Sequence, residues 1–175
     1  MTSTLTGEKI ILRPITVEDA TEEYVGWLND PEVNQFLESR FQTHTLETLR
    51  QYITDRNADP NTYFFAMVRK DNGKTIGSIK LGPVAINHER GEIGIMIGDK
   101  DSWGQGFASE AIKLISDFGF NSLNLHKIIA GVYAENTGSR KAFLKNGFTE
   151  EAIFKQHTRS GAGYMDEIRF AKFGG

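Results

Sequence analysis

An α/β (α+β) fold, one mixed sheet covered by helices, is what this sequence predicts, and three observations predict it. A single strand-like run precedes two segments with helical spacing. From residue 62 the period shortens to that of strands. Thereafter helix and strand alternate until a closing pair of strand-like runs.

Taken in order, "KIILRPIT" reads as a strand closed by Pro14. Thr16 and Asp19 form a near capping box for a helix through "VEDATEEYVGWLN", broken by Asn29-Asp30-Pro31. "PEVNQFL" adds a short helical piece. Thr45 caps a second helix, "LETLRQYITDRN", where Leu46, Leu49, Tyr52 and Ile53 recur at helical spacing. "TYFFAMVRK" and "KTIGSIKLGPV" are β-rich runs joined at Asp71-Asn72-Gly73, a hairpin signal. "GEIGIMIG" is a third such run. The helix after "SWGQG" carries one apolar stripe of Ala108, Ala111, Ile112, Ile115 and Phe118. "KIIAGVYAE" reads as a buried strand, "TGSRKAFLKN" as a helix stopped by Gly147, and "FTEEAIFKQH" pairs with "GYMDEIRFAKF" across "TRSGAG". No linker or internal repeat divides the chain, so residues 1–175 form one domain.

Composition narrows the function. Hydrophobic residues at 39% and charged residues at 25% are ordinary for a soluble globular protein. A formal charge of −3 gives no basic field for a nucleic acid. The chain has no cysteine, hence no disulfide, thiolate metal site or cysteine nucleophile. The N-terminal "MTSTLTGEKIILRP" lacks the pattern of an export signal, and no run approaches the roughly 18 apolar residues of a membrane span. A cytoplasmic location is expected, with no membrane and no nucleic-acid partner. The four histidines, His44, His88, His126 and His157, lie in scattered contexts, so no metal is expected.

One stretch asks for a chemical explanation. In "SWGQGFASEA" the chain gives up side chains just where a helix begins. A helix start leaves backbone N–H groups unpaired and carries partial positive charge, so a Gly-lined start wraps an anion such as a pyrophosphate. Gly104 and Gly106 equally suit a plain tight turn. A dinucleotide fingerprint fits poorly, because Ser109 stands at its third glycine and no acidic residue ends a strand about 20 positions on. A Walker loop fails for want of a lysine.

"SWGQGFASEAI", followed about thirty residues later by "NTGSRKAFLKNGF", resembles the GNAT superfamily of acyl-CoA N-acyltransferases. The first family motif falls on Trp103 to Ala108, with Trp103 in place of the usual Gln or Arg. The second falls on Asn136, Ser139, Gly147 and Phe148. The "xWGxGxA" form, "ILRPITVEDA" and "LNDPEV" look like the branch that holds ribosomal-protein N-terminal acetyltransferases and amino-sugar acetyltransferases. The resemblance spans nearly the whole chain. It implies a mixed, mostly antiparallel seven-stranded sheet flanked by helices and splayed between its central strands. It also implies acetyl-CoA as cosubstrate.

By the same resemblance, the amides of Gly104, Gln105, Gly106, Phe107, Ala108 and Ser109 grip the pyrophosphate beside Trp103. The pantetheine arm lies like an extra strand between "EIGIMI" and "KIIAGVY", along Ile95, Met96 and Ile97. Gly94 allows a bulge there, and the N–H of Met96 or Ile97 becomes an oxyanion donor, an effect of roughly 3 to 4 kcal/mol elsewhere. Asn136, Ser139, Arg140 and Phe143 complete the cofactor contacts. Asn136 is also a good N-cap for "TGSRKAF". Ser139 is a candidate acid for the departing thiolate, although a serine in a first helical turn commonly bonds only backbone. Many relatives carry a tyrosine acid where this chain has Phe143, which excludes that form of acid catalysis.

An alkylammonium with pKa near ~10.4 must lose a proton before it attacks. His157 is the first candidate base and Glu92 the second, each with the alternative of a solvated strand residue. The acceptor is a small-molecule amine held by Asn34, Glu38, Arg40, Phe41 and Tyr164, with Asp166 a weaker candidate. An amino sugar, nucleotide-linked in one form, is the first expectation; Arg40 is either the partner of its phosphate or a solvated loop arginine. A protein N-terminal amine and a drug or polyamine are the alternatives, and a non-catalytic acyl-CoA-binding module is the rival class. The resemblance leaves room for a homodimer.

Overall fold

The computed structural model describes residues 3–175. Eight strands form one continuous sheet in the order β1-β2-β3-β4-β5-β6-β8-β7. In chain order the elements are β1 (Leu5–Thr6), β2 (Ile10–Pro14), α1 (Glu22–Asn29), α2 (Pro31–Asn34) and α3 (Leu46–Ala58). They continue with β3 (Tyr63–Arg69), β4 (Thr75–Leu81), β5 (Arg90–Ile97) and α4 (Phe107–Asn121). The chain ends with β6 (Lys127–Tyr133), α5 (Thr137–Lys145), β7 (Thr149–Ser160) and β8 (Gly163–Phe173). The strand beyond the expected seven is the two-residue β1, which pairs Leu5 with Leu12 at the sheet edge.

Both faces of the sheet are buried at β3 and β4, which is why these strands read as near-continuous apolar runs, whereas the edge strand β7 is largely exposed. Along β3 successive side chains go to opposite sides. Phe65 and Met67 join the core under α4, with Ile112 and Ile115 from that helix and Phe143 and Phe148 from the α5 region. Phe64 and Ala66 join the core under α1 and α3, with Tyr24, Leu49 and Ile53. The predicted stripe of α4 is the buried one, since Ala111, Ile112 and Ile115 have no exposed surface. Truncating Ile112 to Ala would remove about 2–5 kcal/mol.

The first expected helix is two elements. Thr16 and Asp19 do form the capping box, but on a short 3-10 turn over Val17–Asp19. Asp19 is held there by paired bonds from Arg13 at 2.8 and 2.6 Å. Ala20 leaves helical geometry, and Thr21 starts α1 by accepting the Tyr24 N–H at 3.2 Å. Likewise the final hairpin turns only at Gly161 and Ala162, so Thr158 and Arg159 belong to β7.

All strand pairs but one are antiparallel, and the exception shapes the molecule. β5 and β6 run parallel and pair only through Arg90–Lys127, Gly91–Ile128 and Glu92–Ile129. Beyond Glu92 the two strands part, while β5 stays paired to β4 as far as Ile97 and β6 stays paired to β8 as far as Tyr133. No described helix is long and apolar enough to cross a membrane.

Candidate active site

The gap opens where β5 and β6 separate. The Glu92 carbonyl accepts the Gly82 N–H at 2.8 Å, and the Gly98 N–H donates to the Ile76 carbonyl at 2.9 Å, both on the β4 side. Strand alternation therefore turns the amides of Ile95 and Ile97 toward the gap and that of Met96 toward β4. Of the two expected oxyanion donors, only Ile97 faces the opening. The bulge expected at Gly94 is absent, because β4 and β5 keep one register from Gly77–Ile97 to Leu81–Ile93.

At the end of β5 the chain turns into α4. Gly104 and Gly106 take φ of +72° and +85°, the left-handed region that favours glycine, and a Cβ on either would meet nothing within 4 Å. Their role is conformational, and the space before them is open. No side chain caps α4. Among the described residues, no backbone N–H from Gly104 to Ser109 has an acceptor in hydrogen-bonding geometry. A row of unpaired donors at the positive end of a 15-residue helix is an anion site by its own chemistry. Trp103 fastens this turn to the gap by donating its indole N–H to the Ile97 carbonyl at 2.9 Å. The Lys9 ammonium, absent from the sequence expectations, rests at 3.3 Å on the Gln105 carbonyl and adds positive charge nearby.

Across the gap, β6 leads into α5. Asn136 caps that helix, its Oδ1 accepting the Ser139 N–H at 3.1 Å. Ser139 is half-buried beside it. Arg140 points to solvent and pairs with Glu150 at 2.6 Å. Phe143 is 1% exposed, stacks with Phe170 and meets Phe148 edge to face, which places it in the core. Asn146, also unforeseen, donates to the Ser109 carbonyl at 2.9 Å and so ties the end of α5 to the start of α4.

A cavity of about 430 Å³ adjoins the gap. Phe36, Glu38, Arg40 and Phe41 wall it from the loop after α2, Glu92 and Tyr133 from the parted strands, and His157, Glu167 and Arg169 from the last hairpin. His157 reaches it through a break in the β7–β8 ladder, where pairing skips from Phe154 to Thr158. Gln156 is left-handed there, with φ of 51°. Asp166 clasps this bulge, accepting the Gln156 N–H at 2.9 Å and the Lys155 ammonium at 2.8 Å. The Lys155 bond first, then the Gln156 N–H, holds the Asp166 carboxyl below the usual range.

The predicted acceptor residues separate into two sets. Glu38, Arg40 and Phe41 line the cavity. Asn34 does not, since it is buried and donates its amide to the Leu28 carbonyl at 2.8 Å. Tyr164 lies outside, 59% exposed. Arg40 already donates to the Leu37 carbonyl, the Tyr133 hydroxyl and the Arg159 carbonyl, so its forked donors hold the wall together.

Glu167 and Arg169 went unrecognised in the sequence. Arg169 donates to Glu167 at 2.7 Å and to Glu92 at 2.9 Å, joining β8 to β5 at the apex of the gap. Burial works against the Arg169 charge, but the carboxylates outweigh it and raise its pKa. Gly131 makes room, for a Cβ there would fall 2.5 Å from Glu167 Oε1 and 2.7 Å from Arg169 Nη1. The available signal was two charged residues in the otherwise apolar stretch "IRFA" and its approach, in a strand buried on both sides.

A parted sheet, a helix start lined with free amides and a cavity beside both define an acyl-transfer scaffold that grips an extended, phosphate-bearing donor. The family model of the acetyltransferase (GNAT) domain matches residues 9–149, and the chain belongs to that family of N-acetyltransferases. It is 31% identical over 170 residues to an uncharacterized N-acetyltransferase, p20, of Bacillus licheniformis, covering 96% of this chain and 94% of that one. It is 31% identical over 102 residues to spermidine N(1)-acetyltransferase of Escherichia coli K12, covering 58% of this chain and 54% of that one. In fold it is similar to spermidine N-acetyltransferase of Vibrio cholerae, solved with CoA and spermine, with a TM-score of 0.85 and 23% identity over 95% and 96% of the two chains.

Proposed function

We propose that this enzyme transfers the acetyl group of acetyl-CoA directly to a small primary amine held in the cavity beside the gap. The observation that carries the proposal is the run of unpaired amides from Gly104 to Ser109, placed one turn from a gap whose β5 edge offers the Ile95 and Ile97 amides. The turn binds the diphosphate, the gap takes the pantetheine amides, and the Ile97 N–H faces the developing oxyanion. His157 takes a proton from the bound ammonium. The neutral amine then forms the new C–N bond at the thioester carbon, the C–S bond breaks, the nitrogen gives its second proton to solvent, and the thiolate takes one from solvent, directly or through Ser139, which solvent reprotonates. Holding both reactants in one cavity supplies much of the rate.

The acceptor fits a monosaccharide-sized amine, since the walls include Phe36, Phe41 and Tyr133 and the volume is about 430 Å³. An amino sugar therefore remains the first assay arm, but without the attached nucleotide, because Arg40 has no free fork for a phosphate. The test is thiol release from acetyl-CoA with glucosamine, nucleotide-linked amino sugars, spermidine and N-terminal peptides. His157→Ala should lower turnover at neutral pH about a hundredfold while leaving acetyl-CoA affinity intact. Unchanged turnover removes His157 from the reaction.

A further inference from the structure

We propose that Glu167 receives the ammonium group of the acceptor and makes the cavity selective for amines that arrive protonated, an inference that rests on reading the cavity as the acceptor site. Glu167 is 8% exposed, and its two oxygens differ. Oε1 is held by Arg169 at 2.7 Å. Oε2 lies 3.9 Å from His157 Nε2, and among the described residues no hydrogen-bond donor reaches it. A buried carboxylate with one oxygen anchored and the other free is a preorganised acceptor for an N–H cation.

The other charges around the cavity favour the same occupant. Arg40 from the wall loop has both Nη atoms bonded to protein oxygens. Arg169 from β8 is taken by Glu167 and Glu92. Arg159 from β7 also lines the cavity, but its guanidinium lies over the Tyr164 ring and donates to the Tyr164 hydroxyl at 3.3 Å. Glu38 from the wall loop is exposed, and Tyr133 from β6 already accepts from Arg40. Among the described residues, Glu167 Oε2 is thus the buried charged atom of the walls left without a donor, while the Phe41 ring face already holds the Arg40 guanidinium, 4.2 Å from its centroid. An ammonium on Glu167 Oε2 also stands beside His157, the group that takes its proton.

The experiment uses two probes of one shape, propylamine and O-ethylhydroxylamine, the first cationic and the second neutral at neutral pH. Their affinities for the CoA-loaded full chain are measured by calorimetry, and their KM values by thiol release. Wild type should bind propylamine about tenfold or more tightly than O-ethylhydroxylamine. Glu167→Gln should erase that preference and leave O-ethylhydroxylamine and acetyl-CoA binding within about twofold of wild type. Equal loss on both probes means a structural role and overturns the proposal, as does a wild type that distinguishes neither. Should Glu167→Gln fail to fold, the wild-type preference alone decides. If the wild type binds propylamine selectively yet releases no thiol with any amine, the transferase reading fails while the ammonium site at Glu167 stands.

Discussion

Asn136 answers to two demands with one side chain. Its Oδ1 caps α5 at the Ser139 N–H, and its position in the turn that follows β6 places it near the path proposed for pantetheine. Removing the cap with Asn136→Ala should cost about 1 kcal/mol in a denaturant melt. Asp at this position keeps the cap but not the amide donor, so Asn136→Asp should spare stability and raise the KM for acetyl-CoA. A KM unchanged in both variants would leave the residue as a cap alone. The cap was legible because it needs only local spacing, Asn before a helical run. The roles of Asn146 and Glu167 were not, because Asn146 bonds to Ser109 far away in the chain, and Glu167 bonds to nearby Arg169, whose other partner, Glu92, lies on a distant strand.

Among the elements, β7 does the least conventional thing. Its bulge spends three residues without partners on β8 and so turns His157 over the cavity, a use of bulges seen where a side chain must be re-aimed. Asp166 holds the bulge through the Gln156 N–H and Lys155, and its pKa is lowered by those bonds. Asp166→Ala should therefore free the bulge and reduce turnover, with a rise in amine KM and little change in acetyl-CoA KM. Loss of turnover without any loss of amine binding would mean that His157 keeps its place. From the sequence this element was a strand with a histidine near its end, since alternation shows a strand but not where its ladder slips. The opposite error came at Gly94, where a glycine within a strand suggested a bulge and the register proved unbroken. The helix over Val17–Asn29 was divided for a similar reason. Asp19 bonds to Arg13, on the strand just before it, a contact that overrides helical spacing.

At the scale of the whole molecule, two kinds of stability are separable. Burial raises the pKa of Asp19, but the Arg13 bond and the Thr16 N–H outweigh it and lower the pKa. A carboxyl lowered in the folded state contributes stability above its unfolded pKa, about 3.9, and loses it as pH falls through the lower folded value. Asp99, held by Ser102 and Lys74 against its burial, acts in the same direction. Acid should thus erode stability below about pH 4, and Asp19→Asn should flatten that slope in melts taken between neutral and acid pH.

The second kind depends on the gap. Strands β1–β5 and the helices on them pack as one half, whereas β6, β8 and β7 meet that half through three residue pairs of β5–β6, through α4 and α5, and through the side-chain bonds of Arg40 and Arg169. A ligand laid in the gap bonds to both parted edges and to the α4 turn, so it completes the sheet where the protein leaves it open. CoA at about a hundred times its Kd should stabilise the fold by about 2.7 kcal/mol. Hydrogen exchange should slow at Ile95, Ile97 and the amides from Gly104 to Ser109, with Met96, already laddered to β4, unchanged. Protection of Met96 together with its neighbours would point to general tightening, and protection of Ile95 and Ile97 without it would place the bound arm on the open edge of β5.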